Sequence, residues 1–216
     1  MKEAIKSYHM FLPRTWLKWC IYIVYPVAVI GMIYLLRRGA TFFSVVCIGL
    51  YCFAIVAVEM MLDTYMFLGI AARDTNRLEY LKTSVKGLLL LKKALAADAI
   101  RRFFSATLIM AGVYLVIVNN SIGDGGITAL QCGICVVVTC FLTELGFLLT
   151  RLFMNVWLNL ALVYVLSGIA SVAGIYAGGC KGLILPLVIA VILYVIIAVT
   201  GRVLILKRAR ESYYDR

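Results

Sequence analysis

The chain has 216 residues, 64% of them hydrophobic, and a net charge of +11 from 21 Lys and Arg against 10 Asp and Glu. Soluble domains hold roughly 45–50% apolar residues, so a soluble fold is excluded, and with it the reading of the basic excess as a nucleic-acid footprint. The bases lie between long apolar runs, where they set the orientation of an all-α integral membrane protein with a single transmembrane domain over residues 1–216.

The head, residues 1–18, places Ile5, Tyr8, Leu12 and Trp16 at near-helical spacing with bases between them. That pattern predicts a helix lying in the membrane interface, bent or restarted at Pro13. His9 reads as an interfacial polar residue, since one His does not build a metal site. The first apolar run ends at Arg37 and Arg38 rather than at a small-residue cleavage site, so it is expected to stay as a span. Crossing a hydrocarbon core of ~30 Å takes about 20 apolar residues. Six segments meet that need: Trp19–Leu36, Phe42–Leu62 (continuing toward Ala72), Phe103–Val118, Ile127–Thr150, Val156–Ala177 and Leu183–Leu206. The third is short; Ala94–Ile100 extend it inward, with Arg101 and Arg102 expected to snorkel toward the headgroups. The links RRGAT, NNSIGDGG and GGCKG are brief and rich in turn formers.

With six spans both termini fall on one side, which then carries 18 of the 21 Lys and Arg. The positive-inside rule makes that side cytoplasmic, and the setting is a plasma membrane, expected to be bacterial. Non-membrane mass is concentrated there, in the head, in a loop over 73–102 and in a tail over 207–216. Of seven cysteines, Cys132 and Cys135 form a CxxC. With no His nearby, they are read as small buried hydrophobes. No metal, cofactor or catalytic site is expected in this chain.

The loop contains LEYLKTSVKGLLLLKKALA, residues 78–96. At about 100° per residue, Leu78, Leu81, Val85, Leu88 and Leu89 share one arc, and Lys82, Lys86 and Lys93 share its neighbour. Gly87 is expected to break the run, since Gly weakens a helix interior by about 1 kcal/mol. On spacing alone the segment is either an interfacial helix whose bases meet anionic lipid headgroups or a docking handle for another subunit.

Through Leu78, Glu79, Tyr80, Leu81, Thr83, Val85, Lys86 and Lys92, this segment resembles the loop between the second and third spans of ABC transporter permeases of the type-2 exporter class. The proline frequent in that family is missing around Ser84–Gly87. The resemblance implies a short cytoplasmic coupling helix in which Leu78, Glu79, Tyr80, Leu81, Lys82, Thr83, Val85 and Lys86 meet an ABC-type ATPase subunit. It also implies a second permease copy or paralogue, surrounding membrane lipids, and export of a hydrophobic or amphipathic cargo (peptide, lipid or drug-like) by alternating access. ATP and Mg would belong to the partner, because this chain has no G-x-x-x-x-G-K-[ST] loop. It is therefore read as a permease and not an enzyme. Two alternatives stand beside it: a substrate-binding membrane subunit of an importer, and a membrane-embedded lipid-modifying enzyme.

Ionisable residues inside spans are functional candidates by default. Glu59 and Asp63 share a helix face at i, i+4, and Glu144 and Arg151 share one at i, i+7. With Arg101 and Arg102, the three acids are candidate cytoplasmic-mouth or cargo contacts, either as a structural salt-bridge cluster or as an acidic entrance for a cationic cargo. In the fifth span Ala170, Gly174 and Gly178 recur every four residues, a helix-packing or dimer face.

Overall fold

The structure is a computed structural model, and it describes residues 2–11, 19, 23, 25, 27, 31, 41–71, 86–119, 129–153, 155–179 and 184–214. Residues 78–85 (the elbow before α3), most of the three short links and most of the expected first span lie outside the described residues. Among the described residues the secondary structure is helical, without strands. Six helices follow in order: α1 (Lys2–Met10), α2 (Thr41–Phe67), α3 (Gly87–Asn119), α4 (Ala129–Leu152), α5 (Val156–Gly179) and α6 (Ile184–Tyr214). Among the described residues four stretches are long and apolar enough to cross a membrane: Ile48–Phe67, Ala129–Leu152, Val156–Gly179 and Ile184–Glu211. The expected third span lies within α3, and of the expected first span Tyr25 packs against the core.

The helix ends follow local chemistry. After α2 the chain turns at Gly69, whose φ of 61° suits the left-handed cap that glycine adopts without a Cβ penalty. The amides freed by this turn serve α4: Gly69 N–H donates to the Thr150 carbonyl at 3.0 Å and Ala71 N–H to the Arg151 carbonyl at 2.9 Å. Carbonyls left open at a helix C-terminus are thus satisfied from a neighbouring helix, which pins the ends of α2 and α4 together. The α4–α5 link is only three residues, and Asn155 caps α5, its Oδ1 accepting from Trp157 N–H at 3.0 Å. The break expected at Gly87 coincides with the start of α3: Lys86 sits in a turn, and from Gly87 the helix runs unbroken for 33 residues.

α4 is the central helix, packed against α2, α3, α5 and α6. Its buried Thr139 and Thr143 donate back to carbonyls one turn earlier, which hides their hydroxyls from the apolar interior. α2 and α5 make the most extensive pairing, and glycines permit it. A Cβ on Gly174 would sit 2.8 Å from Cys52 Sγ and 3.2 Å from Gly49 Cα; one on Gly49 would sit 2.9 Å from the Ser171 carbonyl oxygen. Ala170 is fully buried, and the Gly178 carbonyl accepts from Gln131 Nε2 on α4 at 3.2 Å. The small-residue stripe of α5 is therefore occupied inside the chain, while Val165, Ile169 and Val172 face outward.

A Cβ on Gly49 would meet the Ile175 side chain at 2.6 Å as well as the Ser171 carbonyl, and the carbonyl, being backbone, cannot rotate away. Gly49→Leu is expected to cost about 3 kcal/mol, the upper end for overpacking, and to lower the thermal unfolding midpoint of the purified chain. Gly168→Ala, with open space around the new methyl, is expected to be neutral or to stabilise α5 by up to about 1 kcal/mol. Equal midpoints for Gly49→Leu and the parent would contradict the close α2–α5 approach.

Two apolar clusters fill the bundle. The larger joins Ile48–Met60 of α2, Ala106–Val113 of α3, Cys132–Phe147 of α4 and Val163–Ala177 of α5. The smaller joins Tyr8 of α1, Leu62–Ala71 after and within α2, Leu91–Leu95 of α3, and Ile205 and Ala209 of α6. The head helix thus docks Tyr8 into the bundle, with α1 packed on α3. The start of α3 is likewise core, with Leu91, Ala94 and Leu95 buried.

Candidate functional site

Between the two clusters lies a layer of charge. On each contributing helix the ionisable residues sit at the boundary: Glu59 and Asp63 on α2, Asp98, Arg101 and Arg102 on α3, Glu144 and Arg151 on α4, and Arg202 on α6. All but Arg101 and Arg202 are buried. An isolated charge in such surroundings costs several kcal/mol, so each must find a partner, and the helices place the partners opposite one another.

Arg101 reaches back to α2 and grips both carboxylate oxygens of Glu59, Nη1 at 3.1 Å from Oε1 with Nη2 on Oε2. This is the bidentate geometry that a planar guanidinium favours. Its guanidinium also stands over the Tyr8 ring of α1, 5.7 Å from the centroid. Arg102 turns the other way, donating to Glu144 of α4 at 2.8 Å while lying 4.1 Å from the Phe147 ring centroid. Arg151 binds Asp63 through Nε at 3.0 Å and through Nη2, and that same Nη2 donates to Asp98 at 2.9 Å. Thr150 adds a hydroxyl donor to Asp63 at 3.1 Å, and Phe67 and Phe147 flank the Arg151 guanidinium at 4.8 and 4.7 Å. At the edge, Arg202 stands 3.9 Å from Glu144. Four carboxylates thus face three inner guanidiniums plus Arg202, and the layer is neutral as a whole.

The structure brings Glu59, Asp63, Glu144, Arg101 and Arg102 into one connected network. It corrects one reading of the sequence. Arg101 and Arg102 do not snorkel: Arg102 is only 5% exposed, because carboxylates on α2 and α4 offer stronger partners at the same depth than headgroups further out. Glu144 and Arg151 share a helix face but pair elsewhere, Glu144 with Arg102 and Arg151 with Asp63 and Asp98.

Asp98 is the hub that sequence reasoning overlooked. It meets Arg101 at 3.3 Å, Arg102 at 3.5 Å and Arg151 at 2.9 Å. The pattern Asp98–Arg101–Arg102, an acid three and four residues before two bases, is a visible helix-borne ion pair. Of the proposed coupling residues only Lys86 is described, exposed in the turn before α3; Leu78–Val85 lie outside the described residues. Ala170, Gly174 and Gly178 lie far along α5 and take no part in the charge layer.

Among the described residues no three His, Cys, Asp or Glu side chains are placed to hold a metal ion. What the layer can do is mechanical: it ties α3 to α2 on one side and to α4 on the other. Compared with known protein families, curated proteins and solved structures, the chain matches none of them.

Proposed function

We propose that this chain is the membrane-spanning permease subunit of an ATP-driven exporter of the ABC type. A separate ATPase subunit would dock on residues 78–86, and a second permease copy or paralogue would complete the path for a hydrophobic or amphipathic cargo. Both termini and the docking segment would lie in the cytoplasm of the cell whose plasma membrane holds the bundle.

The observation that carries the reading is the continuity of α3. It begins one residue after the basic elbow and extends about 48 Å at 1.5 Å per residue, well beyond the ~30 Å hydrocarbon core. Where it passes the boundary between the two apolar clusters, Arg101 and Arg102 clasp α2 and α4. A push at the elbow therefore reaches three helices through one rigid rod and a set of charge-assisted bonds, as a subunit powered from outside itself requires. In this conformation the acids are occupied by arginines, so any contact between Glu59, Asp63 or Glu144 and cargo requires the layer to open first.

The test is affinity purification of the tagged chain from its native membrane. An ABC-type ATPase is expected to come with it, and Leu81→Asp combined with Val85→Asp is expected to reduce its recovery roughly thirtyfold, as for loss of an interface hot spot of about 2 kcal/mol. Undiminished recovery with the double variant would defeat the docking assignment.

A further inference from the structure

At the basic end of the bundle, one stripe of α6 faces the end of α4 across an open cavity of about 310 Å³. Leu204, Lys207, Arg208 and Glu211 line one wall at i, i+3, i+4 and i+7, and Leu152 and Phe153 line the other. The volume is at the lower end of the ~300–1,000 Å³ range of ligand sites, room for one polar headgroup and the start of its chains. Two rulers fix its depth. Leu204 lies about 30 Å along α6 from Ile184, and Leu152 about 35 Å along α4 from Ala129, so both walls reach the level where the hydrocarbon core ends. Trp157, 81% exposed just past this level, is the amphipathic ring expected at a membrane interface.

The chemistry of the walls is split along the same direction. Leu204 and Phe153 are apolar and exposed, while Lys207 and Arg208 come one turn farther out. Among the described residues Arg208 makes no ion pair, and Lys207 meets Glu211 only at 3.9 Å with both side chains well exposed, a contact worth little in water. The cavity therefore carries one net positive charge, two unspent cationic donors and a carboxylate acceptor at its rim.

We propose that this cavity binds one singly anionic phospholipid, of the phosphatidylglycerol type, from the leaflet at the basic end of the bundle. Lys207 and Arg208 hold the phosphodiester, Glu211 accepts from a headgroup hydroxyl, and the acyl chains descend over Leu204 and Phe153. A zwitterionic choline lipid offers no net charge to match and no hydroxyl for Glu211. The site is distinct from the charge layer, whose arginines are already paired, and it stands whatever the bundle transports.

The test uses the full chain in phosphatidylcholine nanodiscs containing a trace of phosphatidylglycerol with a photoactivatable group near the top of one acyl chain. Irradiation is expected to place adducts on Phe153 and on the peptide holding Leu204. Each base near an anionic headgroup is worth roughly fivefold, so the Lys207→Gln, Arg208→Gln double variant is expected to lose most of that labelling, down roughly twentyfold. Lys6→Gln with Lys92→Gln, both exposed bases elsewhere, is expected to keep it. Equal labelling by a matched phosphatidylcholine probe would show an unselective lipid annulus and overturn the proposal. So would labelling that survives in the Lys207, Arg208 variant, or labelling abolished by millimolar inorganic phosphate, which would mark a site for the free anion.

Discussion

Arg151→Met is expected to destabilise the bundle by about 3–5 kcal/mol, the range for removing one partner of a buried ion pair. Arg151 is 2% exposed and holds Asp63 and Asp98 at once. Methionine fills the space between Phe67 and Phe147 but leaves both carboxylates short of their shared cation. At roughly 2–4 °C per kcal/mol for a chain near 200 residues, thermal unfolding of the purified protein should begin about 10 °C lower. Arg151→Lys is expected to recover only part of the loss, because an ammonium supplies a point charge and not a flat fork between two aromatic rings. Adding Asp63→Asn to Arg151→Met is expected to return most of the stability: it removes one orphaned charge while Asp98 keeps Arg101 and Arg102. An Arg151→Met variant as stable as its parent would mean that the charge layer does not hold α2, α3 and α4 together.

Much of the architecture can be read from residue spacing, and the parts that cannot share a physical cause. Runs such as Val156–Gly179 announce helices long enough for a bilayer because a lipid-facing backbone must satisfy itself. Asp63 and Glu144 announce themselves as well, since charge within such runs demands a partner. Which partner is a different matter. Helical spacing says that Glu144 and Arg151 share a face, but not that Arg102 of α3 lies closer to Glu144 than Arg151 does. That choice depends on how the helices rotate against one another. Asp98 was missed for a related reason: it precedes the apolar stretch of α3, so it reads as a solvated loop residue until Leu91, Ala94 and Leu95 are seen buried beneath it. The α5 stripe is legible as Ala170 and Gly174, yet nothing in the sequence singles out Gly49 as the backbone it approaches.

The double replacement Arg102→Met with Glu144→Met separates holding the bundle together from moving it. Exchanging both members of a buried ion pair for apolar side chains of similar volume is often neutral or stabilising by about 1–4 kcal/mol, and here it orphans no charge. Asp98 retains Arg101 and Arg151, and Arg202 is exposed enough to turn to water. The double variant should therefore fold, unfold at or above the parental temperature, and still bind whatever docks at the elbow. What it lacks is one of the two direct α3–α4 ties at the charge layer, Arg102 to Glu144, while Asp98 to Arg151 remains. In the exporter reading the lost tie carries motion from the elbow to the central helix. Cargo export in reconstituted vesicles is then expected to fall at least tenfold, about 1.4 kcal/mol of coupling, while the partner's ATP hydrolysis continues. Parental export from the stable double variant would show that Arg102 and Glu144 only brace the bundle, and that the motion takes another route through it.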